Sequence, residues 1–374
     1  SLNDIHNQKY DLVVSNPPFL NLKTNNSTKF KNKDEYKSFV YKIKNLSYYE
    51  YSNEGVPNLY KLSIENMLKL LNKDGVLGLI CPLTLLGDKT STKLRRYIVE
   101  KFHLVYIEPL TEKNRVFDNV TQSTAILIIE KNLKESQVKI KLNGKEALIN
   151  QAKISKFYPS TYEVPMISKI GWSIIEKMKN FRSLKDIEYI RNKRGELDLT
   201  IHKKFISNTI GKNQLIRGNM IKNKCIDYDI RNEFVNKDFF QIKSNDYIDN
   251  DFGVDRIICK QISNVDRKQR IEFVWSNSND IISNSCNYIN MTKNKNQLEN
   301  LRLLLNSKII NWFFSITSTN NHINNYELDT IPIIELDLIN KFEKHDPKQI
   351  FEKHICSLYC LNKKETDYIL NYHD

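Results

Sequence analysis

Short apolar runs alternate with longer stretches of helical spacing over the first 130 residues. This pattern predicts strands at 11–15, 76–81, 103–107 and 124–129, and helices at 58–71 and 88–102. Residues 20–56 are polar and predict a long loop with room for a short helix. Strands separated by helices are typical of an α/β sheet with helical cover.

The pattern changes after about residue 131. Residues 151–165 have the polar character of a linker, and the strands predicted beyond them, at 256–262 and 271–275, are more irregular. The apolar spacing at 297–314 predicts one long helix. We therefore predict a boundary near residue 160, which separates a domain of residues 1–159 from a domain of residues 160–374.

The charge balance favours a nucleic acid as the partner. The 374 residues include 57 Lys and Arg against 44 Asp and Glu, a formal net charge of +13. These basic residues are spread along the chain, which also fits a generally basic protein without a polyanion partner. No run of 18 or more apolar residues occurs, so no membrane span is expected.

The six cysteines are scattered, and no C-x-x-C pair occurs. This usage, together with an N-terminus that lacks a signal-peptide pattern, predicts a cytoplasmic location. Cys356 and Cys360 lie close to His354 in sequence, but we interpret them as one apolar helix face. No metal site is predicted.

The strand predicted at 11–15 runs directly into Asn16-Pro17-Pro18-Phe19. Methyl transfer to an exocyclic amino nitrogen needs such residues, because two hydrogen-bond acceptors must turn the delocalised lone pair toward the methyl group. The Asn16 side chain and the Pro17 carbonyl can be these acceptors, and Phe19 offers a face on which a base can stack. The simpler interpretation is a stiff turn after a strand.

Several segments resemble motifs of the adenine-N6 DNA methyltransferases. They are residues 10–19 (motif IV), 58–60 (the start of motif V), 69–85 (the helix, glycine turn, strand and proline of the family) and 115–117 with 120–123 (motif VIII). The resemblance implies that Asn16, Pro17, Pro18 and Phe19 are catalytic. It also implies that Phe19 and Phe117 stack on a flipped adenine, with S-adenosylmethionine as cofactor and double-stranded DNA as substrate.

The second half resembles the C-terminal specificity domain of type IIG restriction–modification enzymes of the gamma arrangement. The matching stretches are 215–218, 260–263, 304–312 and 318–328. The two resemblances together imply the fold class. The first domain is α/β and is the C-terminal part of a Rossmann-like methyltransferase sheet, with motifs IV to VIII. An α+β DNA-specificity domain follows it.

One part of the family pattern is missing. None of the ten glycines forms a G-x-G, and the closest pair, Gly75 and Gly78, falls on the later strand turn. The resemblance therefore leaves only Asn16 at the cofactor site. We expect that a protein partner or a missing N-terminal region carries the cofactor loop, and that the chain is inactive without it.

Two basic clusters are candidates for DNA contacts. The candidate residues are Arg191, Lys193 and Arg194 in the first cluster and Arg267, Lys268 and Arg270 in the second. Each cluster also fits a solvated hairpin tip.

Other functions remain open to different degrees. The absence of a Pro-Cys pair argues against cytosine-C5 methylation, and Ser in place of Asn16 is more usual for cytosine-N4 enzymes. Glutamine-N5 protein methyltransferases share the Asn-Pro-Pro-aromatic strand end, but they end soon after the methyltransferase fold. A non-catalytic DNA-binding specificity subunit or remnant is the main alternative, because the cofactor loop is absent. No nuclease site is predicted.

Overall fold

The computed structural model describes residues 8–22, 33–110, 123–132, 136–142, 144–265, 267–318, 321–341 and 348–372. The chain divides into two compact units, Ser1–Trp172 and Ser173–Asp374. The strands are β1 (Tyr10–Ser15), β2 (Leu71–Pro82), β3 (His103–Leu110), β4 (Thr124–Glu130), β5 (Gln137–Leu142), β6 (Lys145–Asn150), β7 (Ile190–Arg194), β8 (Ile206–Ser207), β9 (Leu215–Ile216), β10 (Ile221–Lys222), β11 (Cys225–Ile226), β12 (Phe234–Val235), β13 (Arg256–Lys260), β14 (Val274–Ser276), β15 (Ile281–Ile282) and β16 (Cys286–Met291). The α-helices are α1 (Lys33–Asn45), α2 (Leu59–Leu70), α3 (Thr92–Lys101), α4 (Ala152–Phe157), α5 (Lys169–Met178), α6 (Asn245–Asn250), α7 (Leu298–Leu305), α8 (Lys308–Thr317), α9 (Asn325–Leu328), α10 (Lys348–Leu358) and α11 (Lys363–Leu370).

A mixed sheet forms the centre of the first unit. Its six described strands follow the order β1-β2-β4-β3-β5-β6, in which β1 runs parallel to β2 and β3 parallel to β5, while the other pairs are antiparallel. Helix α2 packs near β2, α3 near β3 and α4 near β6. The predicted α/β fold class is therefore confirmed.

The two faces of this sheet differ in burial. On one face Leu77, Leu79, Leu127 and Ile129 are fully or almost fully buried. On the other face Leu12 is 64% exposed and Val14 is 74% exposed. The neighbours of these two residues on the same face are only half-buried: Val76, Ile80, Ile126 and Ile128. Among the described residues, this second face therefore lacks the cover that the first face has.

Residues that follow position 160 contact the first compact unit, which runs to Trp172. Tyr162 and Val164 are buried, and the Val164 N–H donates to the Leu86 carbonyl at 2.9 Å. The Arg95 guanidinium donates to the Thr161 carbonyl at 2.7 Å. These contacts hold the polar segment on the first unit, so its composition is not that of a free linker.

Helix α1 lies in the segment predicted as a long loop. Tyr36, Val40 and Ile43 are spaced four and three residues apart, and they pack with Leu22 and Leu62 in one buried cluster. Acidic residues in the first turn and lysines in the last turn complement the helix dipole. The prediction underestimated this helix because its apolar face is narrow and is surrounded by Lys and Asn.

The long helix predicted at 297–314 is two helices, α7 and α8, with Asn306 and Ser307 between them. The Asn306 side chain accepts from the Phe273 N–H and donates to the Phe273 carbonyl, both at 2.8 Å. Ser307 caps α8. The predicted apolar residues, among them Leu301 and Ile309, are buried as expected.

The second unit contains a sheet whose described strands have the order β14-β13-β16-β7, with antiparallel pairing throughout. Every residue of β16 is buried, as expected for a central strand. The short pairs β10–β11, β8–β12 and β9–β15 surround this sheet. Within the described ranges of the whole chain, no helix has both the length and the apolar character to cross a membrane.

Candidate active site

The Asn-Pro-Pro-Phe segment lies at the carboxyl end of β1. Ser15 is opposite Leu79 of the parallel strand β2, so the carboxyl ends of both strands reach the same edge of the sheet. Asn16 and Pro18 are exposed, Pro17 is buried and Phe19 is half-buried. The strand tip is therefore open to solvent, as a base pocket requires.

Hydrogen bonds fix the segment after Phe19 against the start of α2. The Leu59 N–H donates to the Leu20 carbonyl at 2.9 Å, and the Leu22 N–H donates to the Pro57 carbonyl at 2.8 Å. Asn58 donates through Nδ2 to the Asn21 side chain at 2.8 Å, and its own oxygen caps α2 by accepting from the Tyr60 N–H. The residues that directly follow the motif IV segment are thus hydrogen-bonded to the start of the motif V segment.

Two acceptors at the tip have no partner in the described part of the chain. Neither the Asn16 side chain nor the Pro17 carbonyl takes part in a hydrogen bond with a described residue, whereas the Pro18 carbonyl accepts from the Leu20 N–H at 3.1 Å. Because Pro17 has no N–H and a fixed φ, its carbonyl is held in a stiff backbone. Both acceptors remain available to a ligand that carries two hydrogens.

Phe19 is supported by a buried aromatic neighbour. The ring of Tyr60 meets it edge-on, with centroids 6.2 Å apart and planes at 84°. Tyr60 is buried, and its burial raises the pKa of its phenol. The Phe19 ring is therefore positioned by packing while part of its surface stays accessible.

Phe117 lies outside the described residues, as do Arg115 and residues 120–122. Leu110 and Thr124, on either side of that segment, are paired with each other, and Thr124 is also paired with Pro82. Leu110 and Thr124 therefore lie at the sheet edge where β2 ends. The role of Phe117 stays a prediction.

Two buried cations hold the loop that follows β2. Arg95 donates to the Leu85 and Asp88 carbonyls at 2.9 and 2.6 Å, and Lys61 donates to the Thr90 carbonyl at 2.7 Å. Burial lowers the pKa of Arg95 to about 10 and also lowers the pKa of Lys61. The sequence analysis did not identify Arg95 and Lys61 as positioning residues. For Arg95, the signal in the sequence was its place next to Leu94, on the inward side of α3.

Cys81, near the end of β2, is fully buried, and burial raises the pKa of its thiol. This environment does not suit a nucleophilic cysteine. Elsewhere, Cys356 is buried, Cys360 is exposed, and His354 contacts the Leu338 carbonyl. No group of three or more potential metal ligands occurs among the described residues.

The first basic cluster is largely engaged within the protein. Arg191 contacts Asp246 at 2.6 Å and Asp251 at 2.7 Å, and Lys193 contacts the same two carboxylates at 3.1 and 3.4 Å. Arg194 is exposed and donates to the Asn284 carbonyl at 3.0 Å. A DNA contact stays a prediction for these residues, and Arg194 is the most accessible of them.

The second basic cluster divides into exposed and buried members. Arg267 and Lys268 are exposed. Arg270 is 2% exposed, and its guanidinium donates to the Ser318 carbonyl at 2.9 Å. A side chain buried in this way does not reach DNA, so we retain the predicted contact for Arg267 and Lys268 and correct it for Arg270.

The sheet, with the Asn-Pro-Pro-Phe segment at its tip, gives the first unit a Rossmann-like α/β architecture, and the second unit has a different architecture. Residues 2–117 match the Eco57I restriction-modification methylase family, and residues 213–333 match the TaqI-like C-terminal specificity domain. One segment of the chain is thus similar to a restriction–modification methylase domain, and a later segment is similar to a specificity domain. The family resemblance found in the sequence is confirmed.

Two curated relatives agree with these matches. The type II restriction enzyme and methyltransferase RM.Eco57I of Escherichia coli is 26% identical over 185 residues, which are 48% of this chain and 17% of the relative. The type II methyltransferase M.BstVI of Geobacillus stearothermophilus is 28% identical over 132 residues, which are 35% of this chain and 21% of the relative. The matches thus span about a fifth of the length of each relative.

A solved structure supports the fold. The type IIL restriction–modification enzyme MmeI, solved in complex with DNA, matches with a TM-score of 0.50 at 10% sequence identity. The match covers 96% of this chain and 54% of that chain. At this level of identity the similarity concerns the fold alone.

Proposed function

We propose that this chain supplies the target-base pocket and the DNA-specificity domain of an adenine-N6 DNA methyltransferase in a restriction–modification system. The observation that carries the proposal is the open tip of β1, where the Asn16 side chain and the Pro17 carbonyl have no partner among the described residues. The methylase and specificity-domain matches support it.

The two acceptors account for the chemistry at the nitrogen. An adenine amino group has two hydrogens, and its lone pair is delocalised into the ring. When Asn16 and Pro17 each accept one hydrogen, the nitrogen moves toward tetrahedral geometry and its lone pair points away from both residues. The reaction then depends on positioning and electrostatics rather than on a strong base. Phe19 stacks on the flipped base, and Phe117 is proposed to stack on its second face.

The chain does not fit S-adenosylmethionine on its own. A Cβ added at Gly75 would lie 2.7 Å from the Tyr10 carbonyl, so this glycine permits the close approach of β1 and β2 and does not form a cradle for a cofactor. Gly78 faces open space, and no G-x-G occurs in the chain. We propose S-adenosylmethionine as the methyl donor of the complete enzyme, and only Asn16 of this chain as a contact to it.

The exposed edge of β1 indicates that the segment with the cofactor loop contributes a further strand to the sheet. Among the described residues β1 pairs only with β2, and Leu12 and Val14 are exposed beside the open edge. Parallel strands of Rossmann-like sheets are usually covered on both faces. We propose that an α/β segment with the cofactor loop, from a partner polypeptide or from the same one, pairs with β1 and covers this face.

A methylation assay tests the proposal. The chain is co-expressed with its neighbouring reading frames in a methylation-deficient bacterial host, and N6-methyladenine in plasmid DNA is measured by mass spectrometry. Asn16→Ala should lower methylation about 10²–10³-fold, by analogy with the loss of one preorganised hydrogen bond at a reacting centre. Asn45→Ala, an exposed position at the end of α1, should leave methylation unchanged.

The assay also separates the alternatives. Detection of N4-methylcytosine and not of N6-methyladenine would show that the target base is cytosine and not adenine. Binding to DNA without any methylation would favour the non-catalytic specificity subunit, which the absent cofactor loop supports. Methylation of a glutamine in a protein, with none in DNA, would contradict the proposal.

A further inference from the structure

Three cations of the second unit are carried by elements that pack together, because the β10–β11 hairpin contributes Ile221 and Ile226, and β13 contributes Ile258, to one buried core cluster. Lys222 belongs to the β10–β11 hairpin, Lys260 ends β13, and Arg267 follows in the next loop. None of the three side chains forms an ion pair with a carboxylate of the described residues. We call Lys222, Lys260 and Arg267 the cationic patch.

The hairpin that carries Lys222 is anchored at its base and exposed at its tip. Ile221 and Ile226 pair with each other and belong to a buried core cluster. All four residues from Lys222 to Cys225 are exposed. The two turn residues, Asn223 and Lys224, have φ angles of 50° and 63°, as a tight hairpin turn requires. The tip therefore presents Lys222 from a packed base.

The segment between Lys260 and Arg267 is also held in place. The Ile323 N–H donates to the Gln261 carbonyl at 2.7 Å, and the Ser263 N–H donates to the Asn321 carbonyl at 2.9 Å. The Val265 N–H donates to the Asn321 side chain at 3.0 Å. These bonds hold the backbone of the segment between the two cations in place before any ligand binds.

The three charges crowd one another. The pKa of Lys260 is lowered first by burial and then by the positive charges of Arg267 and Lys222, while Glu272 and Cys286 act in the opposite direction. In the first basic cluster, by contrast, Asp246 and Asp251 balance Arg191 and Lys193. A group of like charges without a carboxylate partner is stabilised when an external anion binds.

We infer that the cationic patch binds backbone phosphates of duplex DNA and thereby sets the position of the specificity unit on the duplex. This inference rests on the proposed function, because it takes DNA as the ligand. Phosphate contacts of this kind fix register and orientation, while base contacts select the sequence. The patch is thus a positioning surface, and it is expected to act on every duplex, whatever its sequence.

The test measures the binding of the full chain to a fluorescein-labelled duplex by anisotropy over a series of salt concentrations. Lys222→Gln, Lys260→Gln and Arg267→Gln are measured singly and together. Each lost phosphate contact should lower the slope of log K against log salt by about one, so the triple variant should lose about three. Lys237→Gln is the matched control, because Lys237 is an exposed lysine beside a different core cluster, that of Val235 and Phe239.

The outcomes are distinct. A slope that falls in the triple variant and not in the control supports the inference. Wild-type binding with an unchanged slope in the folded triple variant overturns the inference and leaves the proposed function in place. Failure of the wild-type chain to bind any duplex overturns both. Should Lys260→Gln unfold the chain, the exposed pair Lys222→Gln and Arg267→Gln, with an expected loss of about two, decides the question in the same way.

Discussion

Arg95 holds three backbone carbonyls in place from inside the first unit. Its guanidinium donates to the carbonyls of Leu85, Asp88 and Thr161 while the side chain is almost fully buried. Burial lowers the pKa of Arg95 to about 10, which leaves it charged at neutral pH. A charged donor satisfies buried carbonyls well, because hydrogen bonds from an ionised group are the stronger kind. Arg95 therefore fixes the loop beyond β2 next to the candidate pocket.

We predict that Arg95→Met lowers the free energy of unfolding by about 2–4 kcal/mol, because the buried Leu85 carbonyl and the part-buried Asp88 and Thr161 carbonyls lose their donor. Urea denaturation followed by circular dichroism measures this change. The control is Arg96→Met at the next position, where the side chain is 62% exposed and pairs with Glu100 on the surface. Equal midpoints for the two variants would show that the buried hydrogen bonds do not stabilise the fold.

A candidate site formed by a contiguous segment can be proposed from the sequence, whereas contacts between residues far apart in the sequence cannot. Asn16 to Phe19 form one contiguous segment at a strand end, so the segment alone indicated a site. Arg95 contacts Thr161, which lies 66 positions away, and no local pattern predicts that pairing. The ion pairs of the first basic cluster were not predictable for the same reason, because Asp246 and Asp251 lie far from Arg191 in sequence.

At the scale of elements, a single amide divides one apolar stretch into two helices. Asn306 binds both polar backbone groups of Phe273, a residue that is itself fully buried. Ser307 then caps α8, and Glu352 accepts from the Lys308 N–H at 2.8 Å. The continuous apolar spacing predicted one helix, because spacing reports only which residues face inward. It carries no information about where side chains replace the backbone bonds of a helix.

Asn306→Ala should destabilise the second unit by about 2–4 kcal/mol, because the buried Phe273 N–H and carbonyl both lose their partner. Asn296→Ala, at an exposed position before α7, is the matched control and should have little effect. The midpoint of urea denaturation gives the difference. If the helical signal of Asn306→Ala increases without loss of stability, α7 and α8 have fused, and the amide is not what separates them.

The strands of the first unit also divide into those that the sequence predicted and those that it did not. The apolar runs of β1 to β4 were sufficient to predict these strands, because Leu, Ile and Val predominate in the runs. The β5–β6 hairpin was missed, although Val138, Ile140, Ala147 and Ile149 alternate and are buried. Lys139, Lys141 and Glu146 occupy outward positions of the hairpin, but Leu148 is an exposed apolar residue that breaks the alternation, and such short charged strands resemble linker sequence when they are read without their partner.

For the whole molecule, the main feature is a sheet with one covered and one uncovered face among its described residues. A β-strand edge with exposed apolar side chains readily pairs with another chain. The net charge of +13 opposes association between copies, but salt screens that repulsion, whereas the apolar contact persists. The isolated chain should therefore associate with itself at physiological salt, and a segment that covers the face should prevent this.

The double variant Leu12→Lys with Val14→Lys tests that expectation. Sedimentation velocity over a range of concentrations should show association of the wild-type chain and a smaller weight-average mass for the variant. The control is Ile201→Lys with Ile210→Lys, which adds the same charge at residues that are 75% and 80% exposed in the second unit. If both double variants reduce association equally, the cause is net charge and not the β1 edge. If only the β1 variant reduces association, and it also loses methylation in the co-expression assay, the face that carries Leu12 and Val14 accepts the segment with the cofactor loop.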